Sequence, residues 1–255
     1  MDSVLHYPFL LVGDFMNFID TPYLPKKEVC LFIADTEIEN KTVIKPPSID
    51  ILPYSLRRHA DLGIVIISKR KAVCSPESYT YYKDALSPYG FEIIEGKTHI
   101  GSHYPYDSAY NIGIVGKKCF LNKSVCDELL YEILISEGYE IIQVKQGYTK
   151  CSICPIDENS FITADVSIFK EGIKRDMDVL LISNDKISLP GFSNGFWGGC
   201  TGMGNSFELF VNGDISSLPS KDDIEKFLER KSIKIKKLKE GEVIDIGSII
   251  PLMTD

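Results

Sequence analysis

A cysteine, a histidine and two aspartates in this chain have side chains suited to chemistry at a bound ligand. Cys151 lies in the glycine-led segment 147–152, and His59 and Asp61 lie in a His-Ala-Asp triplet just before an apolar run. A thiolate attacks an electrophilic carbon, an imidazole moves protons, and a carboxylate holds a cation. These residues are therefore candidates for nucleophile, proton shuttle and cation holder, with Asp107 as a second carboxylate.

The spacing of His59 and Asp61 favours joint action on one ligand. We predict an extended segment there, and residues two apart in an extended chain point to the same face. The apolar run at 62–67 predicts a buried strand, so both side chains are expected at the mouth of that strand. The alternative is a histidine that serves only the structure, held by a hydrogen bond.

Cys151 is either a nucleophile or a small apolar core residue, because buried cysteines often act only as the latter. Lys150 is adjacent, but on a predicted strand the two side chains point to opposite faces. The same alternation separates Cys151 from Cys154, so one metal ion is not expected to bind both. We predict no metal and no cofactor, and Cys200 is a second candidate for the nucleophile.

Polar and aromatic residues elsewhere suggest a lining for the same site. A second set of polar residues, His103, Asp107 and Asn111, precedes the next predicted strand. The His-Ala-Asp triplet likewise precedes its own predicted strand, so the two sets occupy equivalent positions in their segments. Trp197 and Cys200 lie in a glycine-rich stretch, where Trp197 is a candidate stacking wall. Each group has a structural alternative, because aspartate and asparagine favour turns and glycine favours tight turns and bulges.

The elements that must position these residues recur along the chain about every 47 residues. The segment 90–94 is echoed 48 positions later at 138–142, and 159–161 is echoed 46 positions later at 205–207. Each copy has the order strand, strand, helix, strand, which predicts an α/β fold. The repeats cover about 49–97, 98–145, 146–191 and 192–240, and a fifth unit combines 241–255 with 26–48.

A unit of this kind cannot bury its own sheet and helix, so neighbouring copies must pack around a common centre. Strand-like runs at 29–33 and 242–252 are predicted to pair and to complete the fifth unit. We therefore predict one domain over residues 1–255, closed by pairing of its N- and C-terminal strands. A doubly wound α/β fold accounts for the strands and helices but not for the spacing.

This order of units resembles the pentein superfamily of guanidino-group-modifying enzymes, which includes deiminases, dimethylarginine hydrolases, amidinotransferases and an initiation factor without catalytic function. The similarity rests on the repeats and on three short motifs, at 59–61, at 147–152 and at Gly198-Gly199. It implies a five-bladed α/β propeller around a pseudo-fivefold axis. In the deiminases the histidine lies two repeats before the cysteine, and His59 lies two repeats before Cys151 here. Matching these positions implies that the repeats are circularly permuted relative to those of the deiminases.

The resemblance implies a Cys-dependent hydrolase or amidinotransferase that acts on C–N bonds of a small guanidino or related cationic compound at an axial cleft. Cys151 is then the nucleophile, His59 the proton shuttle, and Asp61 with Asp107 the cation holders. Trp197 stands where the deiminases carry an acid beside the Gly-Gly pair, which removes part of a guanidinium clamp. The alternative is a non-catalytic module that binds a small molecule or a partner on the same fold.

Composition narrows the partners and the setting. A formal charge of −8 and a pI near 5.1 argue against nucleic acid, because a phosphate backbone requires a basic face. No run approaches the roughly 18 apolar residues that a membrane helix needs. Seven scattered cysteines, an odd number, fit reduced thiols in the cytoplasm. We expect a small-molecule ligand and no membrane partner, and the sequence predicts no oligomeric state.

Overall fold

The computed structural model describes residues 16–255, where short strands alternate with helices. The strands are β1 (Asn17–Phe18), β2 (Val29–Ile33), β3 (Thr42–Ile44), β4 (Ile64–Ile66), β5 (Lys71–Cys74), β6 (Glu92–Glu95), β7 (Gly113–Val115), β8 (Lys118–Leu121), β9 (Glu140–Gln143), β10 (Ile153–Asp157), β11 (Ser160–Thr163), β12 (Asp178–Leu181), β13 (Ile187–Ser188), β14 (Thr201–Asn205), β15 (Glu208–Val211), β16 (Lys234–Lys237), β17 (Val243–Ile244) and β18 (Ile250–Thr254). The α-helices are α1 (Ala60–Gly63), α2 (Pro76–Leu86), α3 (Glu128–Ser136), α4 (Thr149–Ser152), α5 (Val166–Ile173) and α6 (Lys221–Arg230).

Five of the sheets share one topology. In each, the first strand pairs antiparallel with the second, and the second pairs parallel with the third. The sheets are β4-β5-β6, β7-β8-β9, β10-β11-β12, β14-β15-β16 and β18-β2-β3, the last extended at its edge by β1. The strands β13 and β17 form a separate parallel pair. The prediction of a mixed α/β fold is confirmed.

The fifth sheet joins the two ends of the described chain. β18 pairs with β2, with Ile250 opposite Ile33, and β2 pairs with β3, with Phe32 opposite Val43. The side chains of Phe32, Ile33 and Ile250 are fully buried. Burial of a large apolar side chain contributes about 1.5–3 kcal/mol to the stability of the folded state. Apolar packing and backbone hydrogen bonds therefore both stabilise this sheet. Of the predicted run at 242–252, only the part from Ile250 onward enters the sheet.

Four helices connect the parallel strands. A parallel pair needs a crossover connection, and α2, α3, α5 and α6 supply it between the second and third strands of their sheets. Asp127 begins α3 by accepting a hydrogen bond from Leu130 N at 2.9 Å, and Asp165 begins α5 by accepting one from Ile168 N at 2.9 Å. Such caps satisfy N–H groups that a first helical turn leaves unpaired. Among residues 16–255, no helix has the length and apolar character to cross a bilayer.

The segments before two of the first strands are helical turns, where the sequence predicted extended chain. α1 leads into β4, and α4 leads into β10. In α1, Asp61 N donates a hydrogen bond to Gly247 O and Leu62 N donates one to His59 O, both at 3.2 Å. These bonds replace those of a sheet ladder, so a turn forms in place of the first residues of the predicted strand at 62–67.

Two expectations based on strand alternation are therefore wrong. His59 and Asp61 do not share the face of an extended segment, because Asp61 lies within α1. Lys150 and Cys151 do not lie on a strand with opposite faces, because both lie within α4. A helical turn spreads adjacent side chains around an axis, and here it directs the two neighbours to the same buried region, as the site contacts show.

Candidate functional site

One polar or sulfur-bearing residue occupies the same place in each of the five sheets, one to three residues before the first strand. These residues are Asp61, Asn111, Cys151, Cys200 and Ser248. Cys151 Sγ lies 3.2 Å from Asp61 Oδ2 and 2.9 Å from Asn111 Nδ2. Ser248 Oγ donates a hydrogen bond to Asp61 Oδ2 at 2.5 Å. Equivalent positions of four sheets thus meet in direct contact, although they are far apart in sequence.

Asp61 is the anion at the centre of these contacts, and Lys150 is the nearby cation. Lys150 Nζ donates to Ser248 Oγ at 3.0 Å, and Ser248 in turn donates to Asp61. Asp61 is fully buried and Lys150 is 4% exposed. Burial lowers the pKa of Lys150, and the Asp61 carboxylate acts in the opposite direction. We refer to Asp61, Asn111, Lys150, Cys151 and Ser248 as the polar cluster.

Asn111 fixes the position of the Cys151 thiol. Its Oδ1 accepts hydrogen bonds from Lys150 N at 2.7 Å and from Cys151 N at 3.1 Å, while its Nδ2 contacts Cys151 Sγ. One side chain therefore satisfies two N–H groups of α4 and also holds the sulfur. The sequence proposed Asn111 as a ligand-binding residue, whereas these contacts assign it a positioning role.

The surroundings of Cys151 favour the protonated thiol. Burial raises the pKa of Cys151 well above its usual range, and the carboxylates of Asp61 and Asp245 raise it further. The S–H group is directed at Asp61 Oδ2. A cation placed beside the sulfur has the opposite effect, because a nearby opposite charge favours the ionised form. The thiol is therefore sensitive to the charge of whatever lies next to it.

A second buried pair, His59 and Asp245, lies beside the polar cluster. Asp245 Oδ2 accepts a hydrogen bond from Phe196 N at 2.8 Å, and Oδ1 accepts one from Gly247 N at 3.0 Å. His59 Nδ1 lies 3.9 Å from Asp245 Oδ1. Burial raises the pKa of Asp245, and His59 acts in the opposite direction. His59 Nε2 is buried and has no hydrogen-bond partner within the described part of the chain.

A cavity of about 200 Å³ is lined both by Cys151 of the polar cluster and by the pair of His59 and Asp245. Its ionisable lining residues are His59, Tyr148, Cys151 and Asp245. The remaining wall is formed by Leu56, Leu62, Leu189, Phe192, Ser193, Asn194 and Phe196. A nucleophile candidate, an imidazole and a carboxylate thus face one space. Among residues 16–255, no group of three or more His, Cys, Asp or Glu side chains is arranged to hold a metal ion.

The structure places the predicted catalytic residues at this cavity or directly behind it. His59 and Cys151 line the cavity, and Asp61 contacts the Cys151 sulfur from within the polar cluster. Asp107, proposed as a cation holder, is not among the lining residues; its Oδ2 accepts a hydrogen bond from Tyr148 Oη at 2.6 Å. Asp107 therefore orients Tyr148, which does line the cavity.

Three of the residues proposed as ligand-binding lie elsewhere. Trp197 is fully buried in an apolar cluster with Cys200 and is not among the residues that line the cavity. Burial of a large indole ring removes much apolar surface from water, which favours this position. Cys200 is also fully buried, and its Sγ contacts Phe196 O at 3.1 Å. His103 is exposed and lies against Ser102 and Tyr106.

Asp245 is a site residue that the sequence analysis does not identify, as are Tyr148 and Ser248. It was treated as part of a single strand-like run at 242–252, whose alternating apolar residues hid the break between β17 and β18. One signal was available, since Asp245 shortly precedes a first strand, as the His-Ala-Asp triplet does. The repeat that was assigned to the two ends of the chain therefore also contributes to the site.

The Gly198-Gly199 pair lets the backbone pass close to both groups of the site. A Cβ on Gly198 would lie 2.4 Å from Ile153 O and 2.6 Å from Cys151 O, and one on Gly199 would lie 2.0 Å from Asp245 Oδ1. These distances are far below van der Waals contact. The pair therefore permits close approach to other parts of the protein.

We expect Gly198→Ala to lower the free energy of unfolding by about 1–3 kcal/mol, the usual cost of overpacking. The added methyl group must displace α4, which carries Cys151. Urea denaturation measures the change, and Ser193→Ala, at an exposed position of the cavity wall, is the control. An unchanged urea midpoint for Gly198→Ala contradicts the close packing described here.

Solved structures similar to this one share its fold at low sequence identity. DDAH from Pseudomonas aeruginosa, complexed with citrulline, matches with a TM-score of 0.53 and 10% identity, over 83% of this chain and 92% of that chain. C. jejuni agmatine deiminase matches with a TM-score of 0.53 and 15% identity, over 90% of this chain and 92% of that chain. An inosamine-phosphate amidinotransferase from Streptomyces griseus matches with a TM-score of 0.54 and 11% identity, over 87% of this chain and 91% of that chain. These are pentein superfamily members, so the resemblance predicted from the sequence is confirmed.

Sequence comparisons add a family assignment. A search of curated protein sequences finds no match. A family model described as a family of unknown function, DUF6873, matches residues 32–250. This match extends from β2 to β18 and so includes every residue of the polar cluster together with His59 and Asp245. The chain therefore belongs to the DUF6873 family.

Proposed function

We propose that the protein is a thiol-dependent enzyme that cleaves or transfers at a C–N bond of a small guanidino or amidino compound bound in the cavity. The observation that carries this proposal is that Cys151, His59 and Asp245 line one cavity, with Asp61 in contact with the thiol. The fold similarity to DDAH, agmatine deiminase and amidinotransferases supports the general kind of activity.

The charges around the cavity support a cationic substrate. Two buried carboxylates, Asp61 and Asp245, face one buried ammonium group, that of Lys150. Asp61 Oδ1 is buried and has no hydrogen-bond partner among residues 16–255, as is also true of His59 Nε2. A planar cation with several N–H groups supplies both the missing charge and donors for a carboxylate oxygen. Tyr148 and Phe196, whose ring centroids are 5.9 Å apart, add aromatic faces that favour a cation.

The proposed first step assigns a role to each group. The Cys151 thiol gives its proton to Asp61, and the sulfur attacks the amidino carbon, whose positive charge favours the thiolate. Protonated His59 then gives a proton to the leaving amine as the C–N bond breaks, which leaves a cationic S-amidino adduct on Cys151. Asp245 holds the positive charge of substrate and adduct.

In the hydrolytic version, water then attacks the adduct and the C–S bond breaks. One proton of the water returns to His59, and the other goes to the released amine. Asp61 returns its proton to the sulfur, which restores the starting thiol. In the transferase version an acceptor amine replaces the water. Both versions use the same four side chains.

We also propose how the five equivalent sheets are arranged. Their common topology and the contact between equivalent residues of four sheets support a five-bladed ring around a pseudo-fivefold axis, with the repeat boundaries predicted from the sequence. The site then lies at one end of that axis. All seven cysteines are free, which fits the cytoplasmic setting that we propose.

A second candidate function is binding without chemistry. The observation that favours it is the raised pKa of Cys151, which keeps the sulfur protonated and weakly nucleophilic in the free protein. The two candidates differ in whether a bound cation shifts the thiol to its reactive form. An experiment that varies only the charge of a thiol reagent therefore separates them.

The test compares two alkylating reagents of nearly equal size, cationic 2-chloroacetamidine and neutral 2-chloroacetamide. For an enzyme, we expect Cys151 to react at least about tenfold faster with the cationic reagent, since a nearby cation stabilises the thiolate. Mass spectrometry of peptides after timed quenching gives the rate at each cysteine. Cys154 and Cys200, which are buried but do not line the cavity, serve as internal controls.

Equal rates at Cys151 for the two reagents contradict the proposed role of the thiol. The companion measurement is release of ammonia or an amine from guanidino compounds, with Cys151→Ala as the inactive reference. Saturable binding of such compounds, combined with equal alkylation rates and no release, establishes the binding function in place of the enzyme.

A further inference from the structure

We propose that the natural ligand carries its only charge on the guanidino or amidino group and joins it to a short, uncharged apolar chain. This inference rests on the proposed function, because it takes the cationic group to lie against Cys151 and Asp245. It concerns the rest of the ligand, which must fit the remaining wall of the cavity. A simple alkylguanidine or alkylamidine represents this class of ligand.

The lining residues divide into a charged end and an apolar wall. The charged end is defined as His59, Cys151 and Asp245: His59 Nδ1 lies 3.9 Å from Asp245 Oδ1, and the Asp245 carboxylate raises the pKa of Cys151. The rest of the wall consists mainly of leucine and phenylalanine side chains, at positions 56, 62, 189, 192 and 196. Leu62 is 1% exposed and Leu189 is 6% exposed, so these surfaces are buried and gain contacts from an apolar ligand. A ligand that fills the cavity must match this division.

No lysine or arginine is among the eleven lining residues. An amino-acid ligand brings a carboxylate, which is costly to bury unless a cation pairs with it. With the guanidino group placed against His59, Cys151 and Asp245, such a carboxylate meets only Ser193 and Asn194 as neutral polar partners at the exposed part of the wall. A second ammonium group likewise meets no further carboxylate there, because Asp245 is the one acidic side chain of the lining. Both kinds of charged tail are therefore disfavoured.

The volume limits the length of the apolar chain. A protein cavity of about 150 Å³ accommodates benzene, so about 200 Å³ accommodates a guanidino group with a chain of roughly three or four carbons. Each buried methylene group is expected to tighten binding by about three- to fourfold. Affinity should therefore rise from methylguanidine to butylguanidine and then level off as the chain passes Ser193 and Asn194 into solvent.

The test is isothermal titration calorimetry on the full chain at one pH and salt concentration. The ligands are methyl-, ethyl-, propyl- and butylguanidine, arginine, agmatine and the neutral analogue butylurea. We expect Kd to fall about three- to fourfold per added methylene, and arginine and agmatine to bind at least tenfold more weakly than butylguanidine. Butylurea should bind more weakly still, because it lacks the charge that the proposed function requires.

The outcomes separate this inference from the proposed function. If arginine or agmatine binds as tightly as butylguanidine, the inference about the tail is wrong and the cationic site stands. If no guanidine binds more tightly than butylurea, the proposed function is wrong as well, and the inference falls with it.

A variant tests the missing cation directly. Asn194→Arg adds a positive charge at the exposed part of the wall, and we expect it to improve the affinity for arginine by at least fivefold relative to butylguanidine. Asn194→Gln, which adds length without charge, is the matched control. An unchanged ratio of the two affinities in Asn194→Arg contradicts the assignment of this wall to the ligand tail.

Discussion

Replacement of Asp61 by asparagine is expected to lower the free energy of unfolding by about 3–5 kcal/mol, the range found when one partner of a buried ion pair is removed. Asp61 is fully buried and Lys150 nearly so, and Ser248 links the two through hydrogen bonds. The asparagine keeps the shape of the aspartate but removes the stronger of the two negative charges that act on the ammonium group, the other being Asp245. Urea denaturation followed by circular dichroism measures the loss.

A double variant gives the matched control for this prediction. Lys150→Met removes the cation while keeping much of the length of its side chain, so Asp61→Asn combined with Lys150→Met should be more stable than Asp61→Asn alone. This result is expected because neighbouring residues of one network are coupled and their effects do not add. A double variant as unstable as the sum of the two single variants contradicts the charge pairing of the cluster.

Asp245→Asn is expected to reduce the preference of Cys151 for 2-chloroacetamidine over 2-chloroacetamide by at least about tenfold. A unit charge about 4 Å from another contributes about 4 kcal/mol at an effective dielectric constant near 20, and solvent at the cavity mouth reduces this value. Asparagine keeps the shape of the side chain and an oxygen for one of the two backbone hydrogen bonds, from Phe196 N or from Gly247 N, which are accepted by different oxygens of Asp245. Glu132→Gln, which removes the same charge from an exposed position on α3, is the control.

The pH dependence of that preference follows from the raised pKa of Asp245. Below this pKa the carboxyl group is neutral and attracts no cation, so the preference for the cationic reagent should increase as pH rises through it. The stability of the unliganded protein is expected to change with pH in the opposite direction because of this group. Because the folded state keeps the proton to a higher pH than the unfolded state, Asp245 lowers stability as pH rises from its ordinary pKa of 3.8 to the raised value.

This pH profile should disappear in Asp245→Asn and persist in Glu132→Gln. His59 Nδ1 lies 3.9 Å from Asp245 Oδ1, so the profile is recorded in His59→Gln as well. A rate preference that stays constant across the acidic range in the unaltered protein means that Asp245 is not the group that attracts the cation.

The sequence predicted the elements of the fold well because their signals are local. An apolar run with β-branched residues at 29–33 predicted β2 at its observed bounds, and the repeat spacing predicted the common order of elements. One helix begins later than its sequence pattern predicts. The spacing of Leu129, Leu130 and Ile133 predicts a helix from Ser124, whereas α3 begins at Glu128, where the side chain of Asp127 caps it. Errors of this kind reflect capping contacts that involve few residues.

The site was predicted only in part, because its geometry depends on contacts between distant segments. His59 and Cys151 were identified from residue type and position, and both line the cavity. The reasoning that paired His59 with Asp61 assumed a strand, whereas a hydrogen bond from Asp61 N to Gly247 O holds a helical turn. The same turn geometry in α4 sends Lys150 into the polar cluster, a position that strand alternation excluded.

Trp197 shows a different limit of sequence reasoning. An aromatic residue between glycines is compatible with a ligand wall or with a core, and only the burial of its neighbours decides between them. Here Trp197 packs with Cys154, Cys200 and Met203 in an apolar cluster. The adjacent glycines, Gly198 and Gly199, leave room for the backbone of residues 150–153 and for the side chain of Asp245. The segment 198–199 therefore helps to position site residues and does not itself line the cavity.

The pairing of β18 with β2 links the chemistry of the site to the completion of folding. Ser248, which binds both Lys150 and Asp61, lies two residues before β18, and β18 reaches its partner strand only when distant parts of the chain have come together. Closure over so long a separation carries an entropic cost, and contacts of this kind are expected to form slowly. Partly folded chains consequently leave the ammonium and the thiol hydrated, and only chains that have completed this closure acquire the charge-sensitive sulfur.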